Sequence, residues 1–129
     1  MSGRVLLDTN IVIALFAGEA AVEKRLSQTD AVFLPSIVLG ELYFGARKSG
    51  KAEVNLTRIE DFAVSNSVLT CDSETAKAYG LIKGILQAKG RPVPENDIWI
   101  AAIAQQHHLT LVTRDTHFDQ IDDLNIETW

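Results

Sequence analysis

One cysteine, Cys71, stands among 129 residues. That excludes an internal disulfide and any cysteine-built metal site within one chain, and it fits a reducing compartment. No apolar run approaches the roughly 18 residues that span a bilayer, and Met1-Ser2-Gly3-Arg4 leads into a strand-like segment without a secretory apolar stretch. The expectation is a soluble, cytoplasmic protein with no membrane role. Excess basic charge is also missing, since 12 Lys and Arg face 17 Asp and Glu for a net charge of −5. This excludes a protein that coats nucleic acid by neutralising many phosphates, but not a nuclease. Repeats, low-complexity tracts and linker-length loops are absent too, leaving one domain over residues 1–129. The 47% of hydrophobic residues supply a core for a chain of this size.

The apolar pattern alternates between two kinds of element. Val5–Leu7, Val32–Leu34, Ser67–Thr70 and Leu109–Thr113 read as short strands, with Asn125–Thr128 as a last edge strand. Between them the sequence predicts helices over Asn10–Ala17, Ala20–Gln28, Ser36 to about Lys48, Ala52–Val64, Ser73–Ala88 and Asp97–His107, with Gly18 closing the first and Ser36 capping the third. Strands without a polar face, alternating with helices, imply a three-layer α/β/α sandwich around a central, mostly parallel sheet. Gly90, Pro92 and Pro94 mark a stiff loop. Arg47, Lys48 and Lys51 gather at one loop and Lys83, Lys89 and Arg91 at another, where solvated helix ends explain them most simply.

Of four acids that stand out, two fall where ligands bind in such a sheet, outside the carboxyl ends of the strands at the reversal of strand order. Asp8 follows the first strand and Asp115 the fourth. Asp97 follows the rigid segment Pro92-Val93-Pro94-Glu95-Asn96. Glu41 has Ile37, Val38 and Phe44 as helical neighbours, which puts a carboxylate on an apolar face at a cost of several kcal/mol unless something compensates. Gly40 and Gly45 beside it suggest a second backbone packed closely. Taken singly, Asp8, Asp97 and Asp115 also read as N-caps worth about 1 kcal/mol each. Taken together, clustered carboxylates call for a hard divalent cation, Mg²⁺ or Mn²⁺. Asp119, four residues past Asp115, is an optional supporting ligand.

VLLDTNIVIAL, PSIVLGELYFGAR, PENDIWIAAIA and LVTRDTHF resemble, in order and spacing, the motifs of PIN-domain ribonucleases, and more narrowly VapC-type toxins of bacterial toxin–antitoxin pairs, with the FitB-like branch nearest. The resemblance covers nearly the whole chain. It implies catalytic roles for Asp8, Glu41, Asp97 and Asp115, with Asn10, Asn96 and Thr113 in support and Asp119 at a position where the family varies. It further implies a VapB-type antitoxin as partner, an RNA substrate and a homodimer, for which the apolar helices between Ala20 and Phe44 are candidate surfaces. The chemistry expected is hydrolysis by water at one or two ions held by Asp8, Asp97 and Asp115, with Glu41 acting through a second ion or a bound water, to leave a 5′-phosphate and a free 3′-OH.

Arg114 is expected either at the scissile phosphate or paired with one of the acids. His117 reads as an exposed loop histidine, and Phe44, Tyr79 and Trp99 as core. Two other functions stand beside this one: a phosphoryl-accepting, Mg²⁺-binding receiver domain with Asp72 as acceptor, and a degenerate PIN fold that only binds. The receiver needs a lysine near a late strand, and none follows Lys89.

Overall fold

The computed structural model describes residues 3–129. Its elements run β1 (Arg4–Leu7), α1 (Thr9–Phe16), α2 (Ala20–Ser27), β2 (Ala31–Pro35), α3 (Ser36–Arg47), α4 (Ala52–Ser65), β3 (Ser67–Leu69), α5 (Ser73–Ala88), α6 (Glu95–Gln106), β4 (Thr110–Val112), a 3₁₀ helix (Thr116–Gln120) and β5 (Ile126–Glu127). The five strands form one sheet in the order β3-β2-β1-β4-β5, and every pairing is parallel. This is the expected α/β/α sandwich.

The centre of the sheet explains the continuous apolar runs. Val5, Leu6 and Leu7 of β1 are all fully buried, and successive strand side chains point to opposite faces, so both faces of β1 are covered. Leu111 and Val112 of β4 and the buried Ile100–Ala104 run of α6 complete the core. No helix among the described residues is long and apolar enough to cross a membrane.

Helix ends that position the site are set locally. At the end of α1, Gly18 takes φ +79° while its N–H bonds to Leu15 O and that of Glu19 to Ala14 O. The end of α5 repeats this: Gly90 has φ +66°, its N–H reaches Gln87 O, and that of Arg91 reaches Leu86 O. Both are left-handed terminations that satisfy otherwise orphaned carbonyls, a conformation glycine adopts without the steric penalty of a Cβ.

Several local expectations are corrected. Ser36 is not the cap of α3 but its first residue, after Pro35 at ψ 139°, because the proline ring already presets the approach. Likewise α6 starts at Glu95 behind Pro94, so Asp97 lies inside the first turn and is free of a capping role. Nothing lies within 4 Å of a Cβ built at Gly40 or Gly45, so no backbone packs there. Phe44 is 63% exposed, with the Lys48 ammonium 4.3 Å from its ring centre. Glu41 is therefore a half-buried residue at the edge of α3's apolar face rather than a charge sunk in the core.

Candidate metal and nucleic-acid site

The chain adds β2 and β3 on one side of β1, then returns to place β4 and β5 on the other. The crevice between the ends of β1 and β4 is thus the point where strand order reverses. The Asp8 N–H bonds to Val112 O at 3.0 Å, carrying the ladder one residue past β1 and setting Asp8 level with Thr113. The hydroxyl of Thr113 donates to Asp8 Oδ2 at 2.7 Å, and the Thr9 N–H donates to Asp8 Oδ1 at 2.8 Å. Asp8 thus both caps α1 and points into the crevice. Asn10 ties the two strand ends: its amide nitrogen lies 3.3 Å from Asp8 Oδ2 and 3.4 Å from Thr113 Oγ1, and its oxygen accepts from the Arg114 N–H at 3.1 Å.

Asp115 stands two residues beyond Thr113, whose hydroxyl accepts from the Asp115 N–H at 3.0 Å. Asp115 Oδ1 in turn caps the 3₁₀ helix through the His117 N–H at 2.9 Å. Asp97 arrives from the first turn of α6, and the imidazole Nδ1 of His117 sits 2.9 Å from Asp115 Oδ1 and 3.4 Å from Asp97 Oδ2. Glu41 joins from α3: its Oε1 accepts from the Thr9 hydroxyl at 2.6 Å, and its Oε2 lies 3.4 Å from the Asn96 amide. Segments from almost the whole chain meet here.

The carboxylates feel one another. Burial pushes the Asp8 carboxyl above its ordinary value against the bonds from Thr113 and Thr9, and the Glu41 and Asp115 charges push the same way. Burial, with repulsion from Asp115 and Asp8, raises the Asp97 carboxyl to about 6, partly offset by His117. Asp97, Asp115 and His117 each offer a ligand atom within 4.8 Å of the others. Mutually repelling oxygen donors suit a hard divalent cation, which favours their ionised form, so Asp97 and Asp115 fit such an ion. Asp8 and Glu41 lie outside this 4.8 Å group, and Asp8 feels Asp115 through its charge.

A pH dependence follows from Asp97. Its folded value of about 6 exceeds the ordinary 3.8, so between about pH 4 and pH 6 the folded chain keeps a proton the unfolded chain has lost, and stability falls as pH rises. Asp8 is shifted in the same direction. Glu19, Asp72 and Glu95, whose carboxyls are lowered by their hydrogen bonds, lose their contributions only at more acid pH. Metal-free protein is therefore expected to melt at a higher temperature near pH 5 than near pH 7, while Mg²⁺ raises the melting temperature at about pH 7 and far less at about pH 5. Calorimetric scans in EDTA and in MgCl₂ measure both; a metal-free melting temperature that drops on acidification over this range contradicts the shift.

Other expected participants lie elsewhere. Asp119 is exposed and lines a separate polar recess with Lys89, Arg91, Gln120 and Asp122, outside the group formed by Asp97, Asp115 and His117. Arg114 reaches neither a site acid nor the crevice, because its guanidinium forks onto Glu19 at 2.8 and 3.2 Å and bonds the Trp129 carbonyl at 2.8 Å. Asp72 closes a reciprocal capping box with Thr75 at the start of α5 and accepts from Gln106 at 2.8 Å, a fully structural use. Tyr79 and Trp99 are half-buried and stack on each other, ring centres 3.9 Å apart. Two contributors were not singled out in the sequence: Thr9, and His117, which reads there as a loop residue. Both lie inside the quoted motifs, which was the signal available.

Residues 5–124 match the model of the PIN domain family. Ribonuclease VapC2 of Haemophilus influenzae is 36% identical over 129 residues, covering 98% of each chain. The tRNA(fMet)-specific endonuclease VapC of Shigella flexneri has the same identity and coverage. Among solved structures, that of DNA-bound VapBC from Salmonella typhimurium superposes with a TM-score of 0.91 at 33% identity, over 100% of this chain and 99% of that one.

Proposed function

This chain belongs to the PIN domain family, and on that premise we propose that it is the toxin of a VapB–VapC-type pair, an endoribonuclease in which Asp8, Asp97 and Asp115 hold a Mg²⁺ or Mn²⁺ ion. One observation carries the reading: side chains from remote segments, Asp8, Glu41, Asp97 and Asp115, converge where strand order reverses, and their mutual repulsion, felt in the raised Asp97 carboxyl, is what a bound dication relieves. When bound, the ion supplies Lewis-acid polarisation of the phosphate and of the attacking water.

The chain's own groups do the rest. Thr113 and Thr9 hold the two Asp8 oxygens by hydrogen bonds, which fixes their direction before substrate arrives. Asn10 locks the ends of β1 and β4 together, and a site set on strand ends moves less than one carried by loops. Thr9 orients Glu41 through Oε1, while Oε2, only loosely met by Asn96 at 3.4 Å, is the site's acceptor for a proton from water. For the antitoxin, a 320 Å³ cleft borders Glu41, walled by Ile13, Phe16, Leu42 and Ile59. It suits an apolar segment that covers the carboxylates.

The test is incubation of the purified protein with total bacterial RNA. Cleavage is expected with Mg²⁺ or Mn²⁺, suppressed by EDTA, with 5′-phosphate ends at the cuts; tRNA is the first class to map, being the named target of relatives. RNA left intact under every metal condition refutes the reading.

A further inference from the structure

A second concavity opens between the end of α5 and the first turn of α6, the turn that also carries Asp97. Its volume is 410 Å³, with Leu86, Pro92, Val93 and Ile98 as an apolar wall and Lys83 and Arg91 at the rim, a size within the usual range for small-ligand sites. Glu95 also borders it, but Lys83 lies 3.1 Å from both Glu95 oxygens and neutralises that carboxylate. Arg91 is different. It donates to the neutral side-chain amide of Gln120 and, although Asp119 and Asp122 border the recess on that side, its guanidinium is held by an amide rather than by an ion pair. Its backbone is held by the left-handed ending of α5, through the bond to Leu86 O at 3.0 Å, and Pro92 stiffens the chain immediately after it. This cation is presented on a rigid mount.

We propose that this cleft is a nucleotide subsite for the RNA strand beside the scissile phosphate, with the base against Pro92, Val93 and Ile98 and a phosphate on Arg91; it rests on the endoribonuclease reading above. Glu95 and Ile98 of the cleft share the first turn of α6 with Asp97, a turn only about 10–12 Å across with its side chains, so a strand passing over the start of α6 can engage both faces. A nucleotide joins a flat apolar base to an anion, which matches an apolar wall with a rim cation held only by a neutral amide. A cleft carrying net positive charge also answers a specific difficulty: the carboxylates of the site repel RNA, and the chain as a whole carries −5, so anchoring must come from local cations. Arginine suits the role through its planar, always-charged fork.

The experiment compares wild type with Arg91→Ala and Arg91→Lys, and with Lys77→Ala as a control that removes one exposed charge elsewhere on α5. Cleavage of total bacterial RNA is followed in Mg²⁺, and filter binding of bulk tRNA is measured in the Asp8→Asn background across a salt series. Arg91→Ala is expected to raise the RNA concentration for half-maximal rate by about tenfold with little change in the maximal rate, and to lower the salt slope of binding by about one. Arg91→Lys recovers part of the loss, and Lys77→Ala behaves as wild type. Wild type cutting RNA while Arg91→Ala matches it in both assays overturns the subsite alone. An Arg91→Ala protein that binds tRNA normally but changes its light-scattering mass assigns the cleft to a second copy of the chain and equally overturns it. Wild type that leaves RNA intact removes the underlying reading, and the subsite with it.

Discussion

Replacing Asp8 by asparagine is expected to abolish RNA cleavage, with a loss of at least about 10³-fold, or ~4 kcal/mol of transition-state stabilisation. The change removes one negative charge from the crevice and keeps the volume and an acceptor for the Thr9 N–H, while the oxygen that accepts from Thr113 and Asn10 becomes an amide donor. The fold should survive it. Because the Asp8 charge helps to raise the Asp97 carboxyl, the metal-free variant is expected to melt no lower than metal-free wild type. The gain in melting temperature on adding Mg²⁺ should largely vanish. Cleavage assays paired with calorimetry separate these effects, and a variant that still cuts at the wild-type rate removes Asp8 from the chemistry.

Phe118→Ala is expected to cost ~3–5 kcal/mol, much of the roughly 5–15 kcal/mol that stabilises a domain of this kind. Phe118 is fully buried and heads the largest such side chains. It lies on the 3₁₀ helix that Asp115 caps and that carries His117, so the cavity left behind loosens the part of the site facing Asp97. Urea unfolding should show a large drop in midpoint, and Mg²⁺ affinity should weaken with it. The gentler Phe118→Leu change keeps most of the contacts and is expected to fall between the two. A Phe118→Ala midpoint equal to that of wild type would mean that this segment is not anchored through its ring.

The site was legible where chain periodicity and chemistry coincide. Asp8 and Asp115 each follow an apolar strand, and strand ends in a parallel sheet are where ligands gather, so their meeting could be expected from local pattern alone. Asn10 and Thr113 were legible with them, because they flank those acids in the quoted motifs. His117 was not, since the turn of the 3₁₀ helix that folds its imidazole back between Asp115 and Asp97 has no apolar period to announce it. Arg114 was misjudged for a related reason. Its partner Glu19 lies 95 positions away, and an exposed guanidinium settles on whichever carboxylate the fold brings within reach. Gly40 and Gly45 suggested close packing from composition, but composition says nothing about which helix face meets a neighbour.

By itself the sequence determined the kinds of element, their order, the parallel sheet and the identity of the acids, because hydrophobic period, turn residues and charge are properties of neighbouring positions. Only the tertiary structure decided which acids share one crevice, that Asp119 faces another recess, and that the Asp97 carboxyl rises to about 6. Those outcomes depend on burial and on distances between charges from remote segments. Both quantities come into existence only when β4 is laid against β1 and α6 closes over their ends.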